Sequence, residues 1–224
     1  MTPDGGDRAK RSKDFKYPTS VVTGALRAIG FTISKLCWFL GYRGLENIAN
    51  LDGSFVLVSN HSTYLDPVWV SIPLHRDLRF MAWDHAFEWP FVGKLIRYLG
   101  AFPVKTDRTA SKGAIVESLR TLRTGAGLVI FPEGEREFAD GEFLEFKPGA
   151  LHIALNAGVP VLPVSISGGS RVWPQGKKYP SLFRRVVITY HPVQRLPPCP
   201  PETDLDAHLD TLNQDMLKTI RSAV

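Results

Sequence analysis

The chain has 224 residues, of which 44% are apolar, 22% charged and 11% aromatic, and its net charge is +5. This composition excludes a disordered chain, a collagen-like chain and a small disulfide-stapled domain, and the length suits one α/β domain. The modest excess of Lys and Arg suits an anionic membrane surface or an anionic substrate and gives no reason to expect nucleic acid. The two cysteines, Cys37 and Cys199, have no paired spacing, which indicates a reducing compartment and no metal knuckle.

The N-terminal part divides into a polar segment and an apolar one. Residues 1–18 carry mixed charges, so we expect a flexible terminus there. Residues 19–45 are predicted to contain an amphipathic helix, whose polar stripe passes through Arg27 and Ser34. Arg27 and Lys35 interrupt the apolar stretch, which argues against a membrane-spanning helix and a signal peptide. The pattern favours a helix lying in the plane of a membrane, with a helix packed on the domain's own core as the alternative.

From residue 51 onward, strand-like and helix-like segments alternate, which predicts an α/β domain with a mixed, largely parallel sheet between helices. Apolar or β-branched runs predict strands at 54–59, 78–83, 101–104, 127–131, 161–166 and 185–190. Helical spacing predicts helices at 67–74, 90–99, 111–123, 150–156 and from about residue 203 onward. We assign residues 46–224 to this domain and expect its chemistry at the carboxyl ends of the strands.

The turn after the first of these strands reads Asn60-His61-Ser62-Thr63-Tyr64-Leu65-Asp66-Pro67. The Asp66-Pro67 pair indicates the start of a helix, with Asp66 as its N-cap. The Asp66 carboxylate can fold back onto the His61 imidazole, fix its tautomer and leave the other ring nitrogen as a general base. A plain helix cap and a structural histidine also satisfy this spacing. The chain has no G-x-S-x-G motif, so the base would activate a hydroxyl group of a second substrate.

This turn resembles the first motif of the glycerolipid acyltransferase family, in particular of its 1-acylglycerol-3-phosphate acyltransferases, with Thr63 where that family has Ser. Three further motifs resemble those of the family in the same order. They read Gly-Ala-Phe-Pro-Val-Lys-Thr-Asp-Arg at 100–108, Phe-Pro-Glu-Gly-Glu-Arg at 131–136 and Val-Pro-Val-Leu-Pro-Val at 159–164. Together the motifs extend over about residues 55–167, so the resemblance is much more specific than the His-to-Asp spacing alone.

The resemblance implies an O-acyltransferase in which His61 takes the proton of the acceptor hydroxyl and Asp66 supports His61. The acyl group would come from acyl-CoA or acyl carrier protein as co-substrate, with no cofactor and no metal. The transient oxyanion needs hydrogen-bond donors, for which Asn60 and the first backbone amides of the 67–74 helix are candidates.

The resemblance also implies an acceptor site built from the second and third motifs. Lys105, Arg108 and Arg136 would bind the acceptor phosphate, and Glu133 and Gly134 would lie in the acceptor site. We expect an unusual backbone angle or a close ligand approach at Gly134. Taken by themselves, Lys105 and Arg108 could equally be solvated loop cations, and Glu133 could be a turn carboxylate that accepts backbone amides.

The leading acceptor implied by the resemblance is the lysophospholipid 1-acylglycerol-3-phosphate, which would give phosphatidic acid. The family usually has Thr and Ser on either side of Arg136, where this chain has Glu135 and Glu137. Two carboxylates beside a phosphate site oppose a dianion unless they point outward, so another lysolipid or an amino-acid lipid stays open as acceptor. A thioesterase, with water as acceptor, and a non-catalytic membrane-binding module also stay open.

We expect the protein at the cytoplasmic face of the cell membrane, as a peripheral or monotopic protein with no nucleic-acid partner. A second basic group late in the chain could bind lipid headgroups or the acyl donor, or form a solvated surface; it consists of Lys177, Lys178, Arg184 and Arg185.

Overall fold

The computed structural model describes residues 17–104, 111–136, 143–174 and 176–224. The helices are α1 Ser20–Trp38, α2 Asp66–Trp69, α3 Val92–Tyr98, α4 Ser111–Arg123, α5 Gly149–Ala157 and α6 Leu205–Arg221. The strands are β1 Gly41–Arg43, β2 Phe55–Ser59, β3 Leu78–Trp83, β4 Ala101–Val104, β5 Gly127–Ile130, β6 Val161–Ser167 and β7 Val187–Tyr190. Short 3-10 helices occur at Leu45–Ile48 and Asp84–Phe87.

The described strands form one sheet in the order β1-β7-β6-β2-β5-β3-β4. Strands β2 to β6 are parallel to one another, because a helix lies between each of them and the next along the chain. Strand β7 is antiparallel to β6, and β1 is parallel to β7. The mixed, largely parallel sheet predicted from the sequence is therefore confirmed.

Both faces of the sheet are buried, as the side chains of β2 illustrate. Phe55 and Leu57 belong to a core cluster that also contains Trp38 at the end of α1 and Trp69 of α2. Val56 and Val58 of β2 face a second core cluster, to which α4, α5 and α6 contribute. Because apolar contacts close both faces, the ends of the strands are left for polar side chains.

The N-terminal boundaries differ from those predicted. Helix α1 ends at Trp38, and Gly41–Arg43 pair with β7, so the sheet begins before residue 46. Residues 1–16 of the expected flexible terminus lie outside the described residues, but Tyr17 is partly buried, and this burial raises the pKa of its phenol. The helix predicted at 67–74 is shorter, since turns follow Trp69.

Helix α1 packs on the domain through its polar stripe. The Arg27 guanidinium donates a hydrogen bond to the Arg76 carbonyl at 2.9 Å. The Ser34 hydroxyl is buried and accepts a hydrogen bond from the Trp69 indole at 3.0 Å. Between them, a side-chain carbon placed on Gly30 would lie only 3.5 Å from a methyl group of α2, so the two helices are in close contact at this position.

The apolar side of α1 therefore faces outward. Val21 and Leu36 are 78% and 67% exposed, and most other large apolar side chains of the helix are exposed as well. This is the reverse of a helix that covers a soluble core, which turns its apolar side inward. With 19 residues and a mean hydropathy of 1.2, α1 is also long and apolar enough to cross a membrane.

Candidate active site

His61 lies at the carboxyl end of the parallel part of the sheet, directly after β2. Its ring stacks on Phe131, which follows the neighbouring strand β5, with ring centroids 4.2 Å apart. The side chain is 18% exposed, so one edge of the imidazole remains accessible. This position agrees with the expectation that the chemistry lies just after the strands.

Asp66 folds back onto His61, as the spacing predicted. Its Oδ2 atom accepts hydrogen bonds from His61 Nδ1 at 2.8 Å and from the backbone amides of Ser62 at 2.6 Å and Thr63 at 2.7 Å. The Thr63 hydroxyl donates to Oδ1 at 2.8 Å. The carboxylate is completely buried. Its role as an N-cap is corrected: Asp66 is the first residue of α2, and its side chain points back into the preceding turn.

These contacts determine the tautomer of His61. A carboxylate that receives backbone amide hydrogens acts as an acceptor, so His61 Nδ1 carries the hydrogen that it shares with Asp66. The other ring nitrogen, Nε2, then holds a lone pair. None of the described residues forms a hydrogen bond with Nε2. The arrangement supplies an oriented general base of the kind that histidine and aspartate form in many enzymes.

Asn60 holds this turn against strand β6. Its amide nitrogen donates to the Ile166 carbonyl at 3.0 Å, and its amide oxygen accepts from the Ile166 backbone at 2.8 Å. The side chain is buried. These two hydrogen bonds give Asn60 a positioning role, and the oxyanion role suggested for it stays a prediction. The first amides of α2 are also engaged, since Val68 and Trp69 both donate to the Leu65 carbonyl.

The end of β6 closes the other side of the turn. A side-chain carbon on Gly169 would collide with the Ser62 hydroxyl as it is oriented here, so glycine permits this close approach. Sequence reasoning did not identify Gly169, or Thr63 as a ligand of the Asp66 carboxylate. The only signals in the sequence were that Gly169 lies two residues after the buried strand β6 and that Thr63 lies inside the first motif.

Glu133 connects the third motif to the backbone of the His61 turn. One carboxylate oxygen accepts the His61 amide at 2.9 Å, and the other accepts the Leu144 amide at 3.2 Å. Glu133 is buried, although it follows β5 in a turn. The observed contacts place it against the backbone of His61, where it fixes the segment from which the imidazole projects.

Arg136 lies on an aromatic surface near the same turn. Its guanidinium carbon is 3.6 Å from the centroid of the Tyr64 ring, a cation–π contact, and Tyr64 also meets Trp89 and Trp173 edge-on. Gly134 has a φ angle of +76°, which agrees with the unusual backbone angle predicted for it. Glu135 is exposed.

Part of the predicted acceptor site falls outside the described residues. Lys105, Arg108 and Glu137 belong to this part, so their positions relative to His61 stay predictions. No group of three or more His, Cys, Asp or Glu side chains within the described ranges could hold a metal ion.

Comparisons with known proteins agree with the family that the four motifs resemble. A family model described as Acyltransferase matches residues 40–167. The chloroplastic 1-acyl-sn-glycerol-3-phosphate acyltransferase BAT2 of Brassica napus is 32% identical over 137 residues, which are 61% of this chain and 39% of that protein. The 1-acyl-sn-glycerol-3-phosphate acyltransferase of Streptococcus pneumoniae is 33% identical over 129 residues, which are 57% of this chain and 47% of that protein.

A solved structure shares the fold. The crystal structure of the 1-acyl-sn-glycerophosphate (LPA) acyltransferase PlsC from Thermotoga maritima matches 90% of this chain and 78% of its own, with a TM-score of 0.68 and 28% sequence identity. The present chain thus spans less than half of the two curated relatives described above but most of the solved structure. Since the family model covers more than half of its residues, the chain belongs to the Acyltransferase family.

Proposed function

We propose that the protein is an O-acyltransferase that moves a fatty acyl group from acyl-CoA or acyl carrier protein to the free hydroxyl of a lysophospholipid. The observation that carries the proposal is the His61–Asp66 pair, whose 2.8 Å hydrogen bond leaves Nε2 as a base at the edge of the sheet. The relatives named above are acyltransferases for 1-acyl-sn-glycerol-3-phosphate, which makes that lipid the leading acceptor.

The proposed reaction needs one base and an activated acyl group. Nε2 of His61 takes the proton of the acceptor hydroxyl while the hydroxyl oxygen attacks the carbonyl carbon of the thioester. The tetrahedral intermediate then loses the thiolate, which takes up the proton from the imidazolium, and the products are an ester and a free thiol. Buried Asp66 stabilises the imidazolium between these steps, because its negative charge is held 2.8 Å from Nδ1.

We propose further that α1 binds the protein to a membrane in the plane of the interface. Its polar stripe contacts the domain. Most of its large apolar side chains remain exposed instead of packing on other described residues. Burying such a face in lipid is favourable in proportion to the apolar area removed from water. A lysophospholipid acceptor and a long-chain acyl donor would both be delivered at that surface.

The decisive experiment measures thiol release and lipid product with and without a lysophospholipid acceptor. We expect His61→Ala to lower transfer by about 10²–10⁴-fold, the usual contribution of a general base. His75→Ala is the matched control, because His75 is exposed and lies outside the four motifs. A folded His61→Ala protein with near-normal transfer would contradict the mechanism. Thiol release that needs no acceptor would indicate a thioesterase, and no turnover with any acceptor would favour a binding module.

A further inference from the structure

The loop at residues 177–185, which leads into β7, combines exposed apolar and cationic side chains. Tyr179 and Phe183 are 69% and 68% exposed, and Leu182 between them is exposed as well. A cluster of large exposed apolar side chains indicates a contact site, whereas single exposed apolar residues are common on any protein surface. The loop has no part in the chemistry proposed for His61.

The cations of this loop have no acidic neighbours in the sequence. Lys177, Lys178, Arg184 and Arg185 are all exposed, and the chain contains neither Asp nor Glu anywhere in residues 146–201. Among the described residues, none of the ion pairs involves these four side chains. Within the described ranges the positive charge of the loop thus has no acidic ion-pair partner, which suits an anionic ligand.

The loop is fixed to the end of α1. The Phe183 amide donates to the Cys37 carbonyl at 2.6 Å, and the Trp38 indole donates to the Ser181 carbonyl at 2.8 Å. The Ser181 amide donates to the Val172 carbonyl at 2.7 Å. These hydrogen bonds hold the loop beside the apolar face of α1 instead of leaving it to move independently.

Phe39 and Phe183 join the loop to the helix, and both have a strained, left-handed backbone conformation. Phe39, directly after α1, has a φ angle of +45°, and Phe183 has a φ angle of +59°. The left-handed region is unfavourable for bulky residues. Their rings lie 6.3 Å apart, and both are more than half exposed. The strained backbone thus presents an apolar ridge to the surroundings, which packing inside the protein does not explain.

We propose that the 177–185 loop is a second membrane-docking site that is specific for anionic lipid. Its four cations would contact headgroup phosphates, while Leu182 and Phe183 enter the interfacial layer. Basic residues next to interfacial aromatic side chains are suited to this environment. The inference rests on the membrane association proposed for α1, whose apolar face continues through Phe39 into the loop.

The test compares binding of the full chain to phosphatidylcholine vesicles with and without about one third phosphatidylglycerol. We expect the parent protein to bind the anionic vesicles more tightly, and the difference to shrink as salt is raised, because salt screens the headgroup charge. Each cation that contacts the anionic surface contributes about fivefold to the binding constant.

The charge variant replaces Lys177, Lys178, Arg184 and Arg185 by Gln. We expect it to bind anionic vesicles at least tenfold more weakly, since several cations act together, and to bind neutral vesicles like the parent. The matched control makes the same change of net charge at exposed cations elsewhere: Lys112, Arg123, Arg195 and Lys218. It should retain the preference for anionic vesicles to within about threefold.

The apolar contribution is tested with Phe183→Asn. Asparagine tolerates the left-handed backbone at this position better than phenylalanine does, so the variant should fold at least as well as the parent. We expect weaker binding to both kinds of vesicle, because the loss of the ring removes apolar contact irrespective of lipid charge. Thermal unfolding of each variant confirms that the fold is intact.

The outcomes separate this inference from the function proposed for His61, because vesicle binding is measured without turnover. The inference is wrong if the charge variant binds anionic vesicles like the parent, or if the control variant loses as much. It is also wrong if the charge variant keeps its vesicle binding but shows a raised KM for acyl-CoA, since the loop would then bind the phosphates of the donor.

Discussion

The Glu133 carboxylate accepts backbone amides from two segments that are far apart in the chain, at His61 and Leu144. We expect Glu133→Gln to lower kcat by about tenfold or more, because an amide group would replace one acceptor and a charge-assisted hydrogen bond contributes about 1.5–3 kcal/mol. The KM for the acceptor should change little, since Glu133 acts through the position of His61. Glu202→Gln, at an exposed position outside the four motifs, is the control.

The comparison of kcat with KM distinguishes two roles for Glu133. The resemblance to the family suggested an acceptor-site residue, whereas the observed hydrogen bonds indicate a positioning residue. A raised acceptor KM with unchanged kcat would restore the first interpretation.

Among the described residues, Arg136 is the cation to which the resemblance assigns the acceptor phosphate. Replacing it by Ala should raise the KM for lysophosphatidic acid by about tenfold to a hundredfold, the equivalent of one charge-assisted hydrogen bond, with little change for the acyl donor. Kinetics with lysophosphatidylethanolamine, whose phosphate is capped, provide the comparison. Arg123→Ala, at the exposed end of α4, is the control for lost surface charge.

The result also tests the acceptor. If Arg136→Ala weakens both lipids equally, Arg136 does not distinguish a free phosphate from a capped one. If the parent enzyme prefers the capped lipid, Glu135 and Glu137 indicate the acceptor better than the resemblance does. Tyr64→Phe keeps the ring beneath the guanidinium, so it should leave the KM near that of the parent.

At the residue scale, local contacts could be predicted and distant ones could not. The His61–Asp66 hydrogen bond follows from a spacing of five residues within one turn. The direction of the Asp66 side chain does not, because an aspartate at the start of a helix can reach forward or backward. The contact from Glu133 to the His61 backbone depends on the parallel pairing of β2 with β5, which no local pattern specifies.

At the element scale, α1 should determine binding to uncharged lipid. We expect the triple substitution of Val21, Ile29 and Leu36 by Ser to lower binding to phosphatidylcholine vesicles at least tenfold. Full burial of one such side chain is worth about 1.5–3 kcal/mol, so partial immersion of three suffices. Serine at the exposed apolar positions Val116, Val193 and Leu205 is the matched control, measured in the same sedimentation assay.

These point variants are preferable to deletion of the helix. A truncation of residues 1–41 would remove Trp38 and Leu40, which are buried in the core, and would shorten β1. Unfolding would then be mistaken for loss of an anchor. Unchanged sedimentation of the serine variant would show that the outer face of α1 is not the lipid contact.

The helices and strands between residues 51 and 224 could be predicted because apolar runs and helical spacing are properties of the sequence itself. Strand β1 could not, since Gly-Tyr-Arg is too short to show a period and pairs only through β7. The helical nature of α1 was predictable as well. The side of it that would face the domain was not, because its polar stripe matches polar groups supplied by residues that are distant in sequence, such as the Arg76 carbonyl.

At the scale of the whole molecule, stability should depend on the protonation of His191. This residue follows β7, and its Nε2 lies 2.7 Å from the Ser165 hydroxyl of β6, which donates to the Ile220 carbonyl of α6 at 2.6 Å. Burial lowers the pKa of His191 below its ordinary value. The folded protein therefore binds fewer protons than the unfolded chain between that lowered pKa and about 6.5, so stability falls as the pH falls through this window.

The measurement is urea unfolding across this pH range for the parent and for His191→Gln. We expect the variant to lose less stability on acidification, because it has no group to protonate at this position. His75→Gln, at an exposed histidine, should retain the slope of the parent. Parallel curves for the parent and the His191 variant would contradict the prediction.

The pairing of β1 with β7 sets an order of events during synthesis. Gly41 lies opposite Val187, so strand β1, which follows α1, meets its partner only about 150 residues later in the chain. At about 5–20 residues per second, translation of that interval takes roughly seven to thirty seconds. For that time β1 has left the ribosome without the strand that supplies its ladder hydrogen bonds. The pairing of β1 with β7 would then be a late step of sheet assembly, after the contacts of α1 with residues 68–76 can form.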